Sequence, residues 1–293
     1  MIGVDWGTSS LRAFRMDAKG RVLETRRSDQ GLQHAGGRFA EVLSALLEGW
    51  DERCVLMGGM IGSRQGWMEV PYVRAPADLH TVADGMRCLP DDTLPGRTLW
   101  LVPGVATVDG AGVQDVMRGE ETQVCGLLPV LGEGRHVVLL PGTHSKHVHV
   151  RDGRIEGFST FLTGELFALL CQHSLLGRMM VAGEHDDAAF AEGVARSAHD
   201  GELLHTLFGV RTRALFDELA PHRVSSYLSG LLIGHELRSL PPAADRVHVI
   251  AATGLAHVYA AALQARDIQT VVHDEATVAV GLHQLAAAHA LSM

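Results

Sequence analysis

The chain has 293 residues, 46% hydrophobic and 20% charged, a balance that permits a sizeable buried core and excludes disordered and fibrous classes. With 25 Lys+Arg against 34 Asp+Glu the net charge is −9 and no basic block interrupts it, so neither nucleic acid nor a membrane surface is an expected partner. Four widely spaced cysteines with no Cys-x-x-Cys pair, and no apolar run of about 18 residues, predict reduced thiols and a cytoplasmic location.

The first elements read as an antiparallel meander. Ile2–Val4 is a short apolar run, Gly7-Thr8-Ser9-Ser10 a polar turn, and Leu11 and Ala13 begin an alternating strand. Asp17-Ala-Lys-Gly20 is a second turn, followed by a third strand over 21–25. Further on, Arg53-Cys-Val-Leu-Met-Gly58-Gly59 is an apolar strand that ends in small residues. The meander pattern returns at residue 135: an apolar run over 136–140, a polar turn Pro141-Gly-Thr-His-Ser-Lys146, an alternating strand over 147–150, and another turn at Gly153. Arg246–Ile250 then repeats the apolar strand, leading through Ala251-Ala252-Thr253-Gly254 into a helix with Leu255, Tyr259 and Leu263 on one face.

Gly7-Thr8 matches Gly142-Thr143, Gly20-Arg21 matches Gly153-Arg154, and Gly31 matches Gly164, all in order. This recurrence predicts two α/β domains of like topology, residues 1–108 and 109–274, with the C-terminal stretch 275–293 returning to the first. Two such domains facing each other would set the two Gly-Thr loops on opposite walls of a central cleft. Loops rich in Gly, Thr and Ser suit a polyphosphate, because backbone N–H groups can approach phosphate oxygens and hydroxyls add donors. Asp5, at the end of the first strand, is placed to hold a hydrated magnesium ion against those phosphates.

At these residues the sequence resembles a known group. Gly3-Val-Asp5-Trp-Gly7-Thr8-Ser9-Ser10 is similar to the first phosphate motif of the actin, hexokinase and heat-shock ATPase superfamily, whose domains are ribonuclease H-like. Five further segments resemble the 2-dehydro-3-deoxygalactonokinase family: Gly58–Trp67, Asp115–Gln123, Leu140–Lys146, Phe161-Leu-Thr-Gly-Glu165 and Ser226–Gly234. The resemblance implies transfer of the ATP γ-phosphoryl group to the 6-hydroxyl of 2-dehydro-3-deoxy-D-galactonate, in galactonate degradation, with ATP and Mg²⁺ as cofactors. It also implies nucleotide contacts from Asp5, Gly7, Thr8 and Ser9 in the first loop, and from Gly142, Thr143, Ser145 and Lys146 in the second. On the adenosine side such kinases carry Gly-Ser where this chain has Ala251-Ala252, and Gly254 is the nearest glycine.

In the wider superfamily a catalytic acid opens a helix some twenty residues before the second loop. Glu120 and Glu121 occupy that place, after Arg118-Gly119, where a helix N-terminus stabilises a carboxylate. Glu121 is preferred and Asp115 is the reserve. The donor-rich loop Ser63-Arg64-Gln65 suits a sugar acid, with Arg64 the partner of its carboxylate and Arg118 a second candidate. His144, His147 and His149 lack acidic or thiol ligands at conventional spacing, so no zinc site is expected. Two alternatives stay open: a kinase for another sugar acid such as 2-dehydro-3-deoxygluconate, and a non-catalytic nucleotide-binding regulator of the same fold. The oligomeric state is also open, a homodimer included.

Overall fold

The structure is a computed structural model that describes residues 1–199, 201–241 and 246–291. The first part of the chain runs through β1 (Ile2–Trp6), β2 (Leu11–Met16), β3 (Val22–Ser28), α1 (Leu32–Ala35), α2 (Phe39–Leu46), β4 (Cys54–Gly59) and β5 (Val73–Arg74). It continues with α3 (Leu79–Asp84), β6 (Arg87–Cys88), β7 (Thr98–Leu101), β8 (Val105–Val108), β9 (Gln114–Met117) and α4 (Glu120–Leu131). The second part begins with β10 (Arg135–Leu140), β11 (Ser145–Arg151), β12 (Arg154–Phe161), α5 (Thr163–His173), α6 (Asp187–Ser197) and α7 (Leu203–Leu215). It closes with α8 (Val224–Glu236), β13 (Arg246–Ile250), α9 (Thr253–Gln264), β14 (Gln269–His273) and α10 (Thr277–Ala288).

Two sheets repeat one plan. The first has the order β3-β2-β1-β4-β7-β6 and the second β12-β11-β10-β13-β14. β1 pairs antiparallel with β2 and parallel with β4, and β10 pairs parallel with β13. Three sequential strands on one side, joined by short turns, and parallel strands on the other make each sheet mixed. The register sets Asp5 opposite Arg12 on one side and Gly58 on the other. The turns correspond, but not residue for residue: Gly7 opens its four-residue connection, whereas Gly142 follows Pro141 in the other. A small third sheet, β5-β8-β9, carries Asp115 opposite Thr107, so that residue lies on a strand ahead of α4.

Two compact units result, one of Met1–Arg135, Val148–Phe158 and the chain from Asp274 on, the other of His136–His147 and Ser159–His273. The residues expected as the first domain fall in the first unit, which also takes in α4; Ser292 and Met293 lie outside the described residues. Packing explains why α4 belongs there. A Cβ on Gly126 would strike the Thr277 carbonyl oxygen and one on Gly281 the Thr122 carbonyl oxygen, so only glycine at the crossing lets α4 and α10 touch along their backbones. On the other side of the first sheet, Trp6, Phe39 and Trp67 pack with ring centroids 5.8 to 6.5 Å apart, and Trp6 meets each of the other two edge to face, which adds to their burial.

The second unit has two apolar clusters. One joins β10 and β13 to α9 through Leu139, Val249, Tyr259 and Leu263. The other gathers Leu207, Val210, Leu228 and Leu231 around α7 and α8.

Candidate active site

In the first unit the turn 7–10 is pinned from behind. The backbone N–H groups of Leu32 and Gln33 donate to the carbonyls of Gly7 and Thr8, each at 3.0 Å. Thr8, Ser9 and Ser10 are left exposed. Beside the turn lies a cavity of about 320 Å³ whose lining includes Asp5, Gly7, Ser10, Arg12, Arg27 and Glu275. Arg12 donates from Nη2 and Nε to Asp5 Oδ2 at 2.8 and 3.2 Å, and from Nη1 to Glu275 Oε2 at 3.2 Å. Burial opposes the charge on this guanidinium, but the two carboxylates outweigh it and raise its pKa. Asp5, Glu275 and the Ser10 hydroxyl are hard oxygen donors of the kind magnesium takes, and magnesium keeps several waters, so this donor set fits the ion. Among the described residues no group of three or more His, Cys, Asp or Glu is placed to hold a metal ion.

The same unit holds a second constellation where β4 ends. Gly59 has φ +92°, and any Cβ there would sit 2.6 Å from the Trp6 carbonyl oxygen; glycine thus lets the chain turn sharply towards Ser63. Arg64 points outward, its side chain 87% exposed and 3.4 Å from Glu69, and Gln65 is also exposed. Arg118 does the opposite. It donates through Nη2 to the Val70 carbonyl at 2.7 Å and lies 4.4 Å over the ring of Tyr72, while Nε and Nη1 are buried without partners. A Cβ on Gly62 would come 3.0 Å from Arg118 Nη1, which places the loop that bears Ser63 against the guanidinium. The Ser63 hydroxyl is buried and unpartnered as well.

The turn before α4 completes this group. Gly119 has φ +108°, and its N–H donates to Glu121 Oε2 at 2.6 Å, while the Arg118 N–H donates to Glu120 Oε2 at 3.1 Å. Glu121 is fully buried, and Oε1 has no partner. Burial first, and the neighbouring Glu120 carboxylate second, push its pKa up to about 8.

In the second unit the loop 141–144 meets the first turn of α5. The Glu165 N–H donates to the Thr143 carbonyl at 3.0 Å, His144 Nε2 lies 2.5 Å from Glu165 Oε2, and a Cβ on Gly164 would strike the Gly142 carbonyl oxygen. Thr143 and His144 are exposed. Ser145 and Lys146, expected in this loop, are instead the first residues of β11 and are buried. Ser145 donates to Glu236 at 2.8 Å and Lys146 Nζ donates to the His144 carbonyl at 3.1 Å; the two side chains alternate across β11, and both are buried because both faces of its start are covered. Gly254 is exposed in the first turn of α9 with open space where a Cβ would stand, so local packing does not demand glycine there.

Sequence reading missed Arg12, Glu275, Tyr72 and Glu236. Only Arg12 carried a usable signal, since a four-residue turn between β1 and β2 sets it opposite Asp5.

Two sheets of matching strand order, the first with one extra edge strand and each opened by a hairpin bearing a Gly-Thr turn, make an actin-like ATPase fold. The profile of 2-keto-3-deoxy-galactonokinase matches residues 5–285, and the chain belongs to that family. It is 37% identical over 286 residues to the Rhizobium meliloti protein named "Probable 2-dehydro-3-deoxygalactonokinase", covering 93% of this chain and 92% of that one. It is 35% identical over 283 residues to the 2-dehydro-3-deoxygalactonokinase of Escherichia coli, covering 94% of each. A crystal structure of a Sinorhizobium meliloti protein that bears the same kinase name provisionally superposes with a TM-score of 0.89 at 35% identity, covering 97% of both chains. Among the described residues no helix is long and apolar enough to cross a membrane.

Proposed function

We propose that this chain transfers the γ-phosphoryl group of ATP to the 6-hydroxyl of 2-dehydro-3-deoxy-D-galactonate. The observation that carries this reading is a set of buried, unpartnered polar atoms on neighbouring segments of the first unit: Arg118 Nε and Nη1, Ser63 Oγ and Glu121 Oε1. Buried polar groups are rarely left unsatisfied in a native fold, so a ligand is the natural source of the missing partners. A sugar acid has the right complement. Its carboxylate takes two parallel bonds from Arg118, one from Nη1 and one from the second N–H of Nη2, while the Tyr72 ring and the Val70 carbonyl hold the guanidinium in place, and a hydroxyl meets Ser63. Arg64 is left to the surface, and Gln65 with it.

Glu121 takes the proton. The 6-hydroxyl oxygen bonds to the γ-phosphorus, the bond from that phosphorus to the β,γ-bridging oxygen breaks, ADP departs, and the hydroxyl proton passes to Oε1. A pKa of about 8 fits a group that must accept a proton near neutral pH. Glu120 holds the Arg118 backbone and keeps that turn in shape. Gly7, Thr8 and Ser9, and likewise Gly142 and Thr143, are the phosphate-binding groups in this reading, through backbone N–H groups and hydroxyls. Magnesium, when bound beside Asp5, neutralises phosphate charge. A cytoplasmic setting belongs to the same reading, since ATP is the donor.

ADP release with each C4 epimer of the sugar acid tests this reading. Turnover on the galactonate derivative well above that on 2-dehydro-3-deoxygluconate is expected. The reverse preference would reassign the substrate, and ADP release independent of any sugar acid would make the chain a regulator rather than a kinase.

A further inference from the structure

Glu236, at the C-terminal end of α8, has no part in the chemistry above, yet it is 3% exposed and fully engaged. Oε1 accepts from the Ser145 hydroxyl and from His147 Nε2, each at 2.8 Å, and Oε2 accepts from the Tyr259 hydroxyl at 2.7 Å. The Thr163 side chain also hydrogen-bonds to it. Ser239 Oγ donates to the Glu236 carbonyl at 2.8 Å and lies 3.2 Å from His147 Nδ1. Burial works against the charge of this carboxylate, but the bonds it accepts outweigh burial and lower its pKa.

Its partners lie at the roots of three neighbouring segments. Ser145 and His147 are the first and third residues of β11, directly after the loop 141–144. Thr163 opens α5, whose next two residues abut Gly142 and bond to the Thr143 carbonyl. Tyr259 lies on α9, the helix that follows the end of β13 through Ala251-Ala252. Replacing the whole buried set by well-packed apolar residues is often neutral or stabilising, whereas removing the carboxylate alone would leave the Ser145, His147 and Tyr259 donors buried and unpaired. What the carboxylate adds is direction, because each donor must point at it.

We propose that Glu236 is a positioning residue for ATP: it locks the root of the second Gly-Thr loop, and the start of α5 against it, into the shape that receives the nucleotide phosphates. This rests on the reading above that residues 142–143 contact ATP. Without the carboxylate the loop would keep its sequence and lose its anchor, so affinity for nucleotide should fall while sugar-acid affinity does not.

The test is steady-state kinetics with ATP and 2-dehydro-3-deoxygalactonate varied separately, on the full chain and on Glu236→Gln, Ser145→Ala and Thr143→Val. Glu236→Gln and Ser145→Ala are expected to raise KM for ATP by about tenfold, in line with the loss of a hydrogen bond to a charged group, and to leave KM for the sugar acid within about twofold. A purely structural role would lower the melting temperature and the active fraction and leave both KM values alone. Thr143→Val separates the two readings. If it raises KM for ATP while Ser145→Ala and any folded Glu236→Gln do not, the positioning role is refuted and the loop assignment stands. If Thr143→Val leaves KM for ATP unchanged, the loop assignment fails and the positioning role fails with it. Should Glu236→Gln not fold, Ser145→Ala alone decides, since it removes the Ser145 contacts to Glu236 and to the Tyr259 hydroxyl and leaves the carboxylate paired with His147, Tyr259 and Thr163.

Discussion

Glu121→Gln should make the protein more stable and far less active. In the folded chain the Glu121 carboxyl is fully buried and its pKa is pushed up from 4.5 to about 8, by burial and then by Glu120. A group whose folded pKa is raised supports the fold fully below its unfolded value and loses that contribution as pH rises through the folded one. For Glu121 the window therefore runs from 4.5 to about 8, with stability falling as pH rises. At pH 7 the unfolded chain carries the carboxylate 2.5 units above its ordinary pKa of 4.5, and folding must put the proton back. At 1.36 kcal/mol per unit, that costs about 3 kcal/mol.

Glutamine removes the cost. Its amide oxygen can accept from the Gly119 N–H as Oε2 does, and its NH₂ occupies the place of the unpartnered Oε1. Urea unfolding of both proteins at pH 4.5, 7 and 8.5 should show the variant about 3 kcal/mol ahead at pH 7, further ahead at 8.5, and level at 4.5. The difference between the two proteins isolates this group from the rest that titrate. Turnover should drop by roughly 10²–10⁴-fold, the range of general-base catalysis, and wild-type kcat/KM should climb with pH through a midpoint at about 8. A variant no more stable than wild type at pH 8.5 would refute the buried-acid account. A stabilised variant with normal turnover would move the base elsewhere.

Three further outcomes are expected. Asp5→Asn should fold and raise the magnesium and ATP concentrations needed for half-maximal rate by at least about tenfold, since the amide keeps the shape and loses the charge; wild-type kinetics across a magnesium titration would remove Asp5 from the metal site. Arg118→Lys should raise KM for the sugar acid by roughly tenfold to a hundredfold by losing the two-pronged contact, whereas Arg64→Ala should shift it by less than about twofold; the opposite ranking would return the carboxylate to Arg64. His248 lies 2.9 Å from His273, and burial, reinforced by His273 and His136, lowers its pKa from 6.5 to about 4. The contribution of the neutral ring is full above 6.5 and lost as pH falls towards 4, so the melting temperature of His248→Gln should fall less steeply than that of wild type over that interval. Parallel melting curves would mean that another group governs acid unfolding.

How much of this was legible in the sequence depends on how far apart along the chain the partners lie. The hairpins, the buried strands β4 and β13 and the repeat of sheet order follow from apolar runs, turn residues and spacing, all of them local. Even the Asp5–Arg12 pair was within reach, because the turn length sets the register. The constellation around Arg118 was not. Tyr72 and Val70 are 46 and 48 residues away in sequence, and only tertiary packing turns this arginine inward while Arg64 faces solvent. The same holds for Ser145, whose partner Glu236 lies 91 residues on. A serine after Gly-Thr-His reads as one more loop donor until the strand is seen to begin with it.

The repeat also shows where the two halves parted. Arg12 is the second residue of β2 and Lys146 the second residue of β11, so each hairpin returns with a cation at the same step. The residue before the last of the opening strand differs: Asp5 in β1, Leu139 in β10. With a carboxylate opposite, Arg12 is held beside the cavity by Asp5 and Glu275. In the other half Lys146 donates to a backbone carbonyl in its own loop, and the carboxylate that accepts from Ser145 comes from α8. One hairpin plan thus carries two chemistries. The half with an acid at the strand end sets it beside the cavity, as Asp5, and the other half keeps a buried acid, Glu236, bonded to Ser145, His147 and Tyr259.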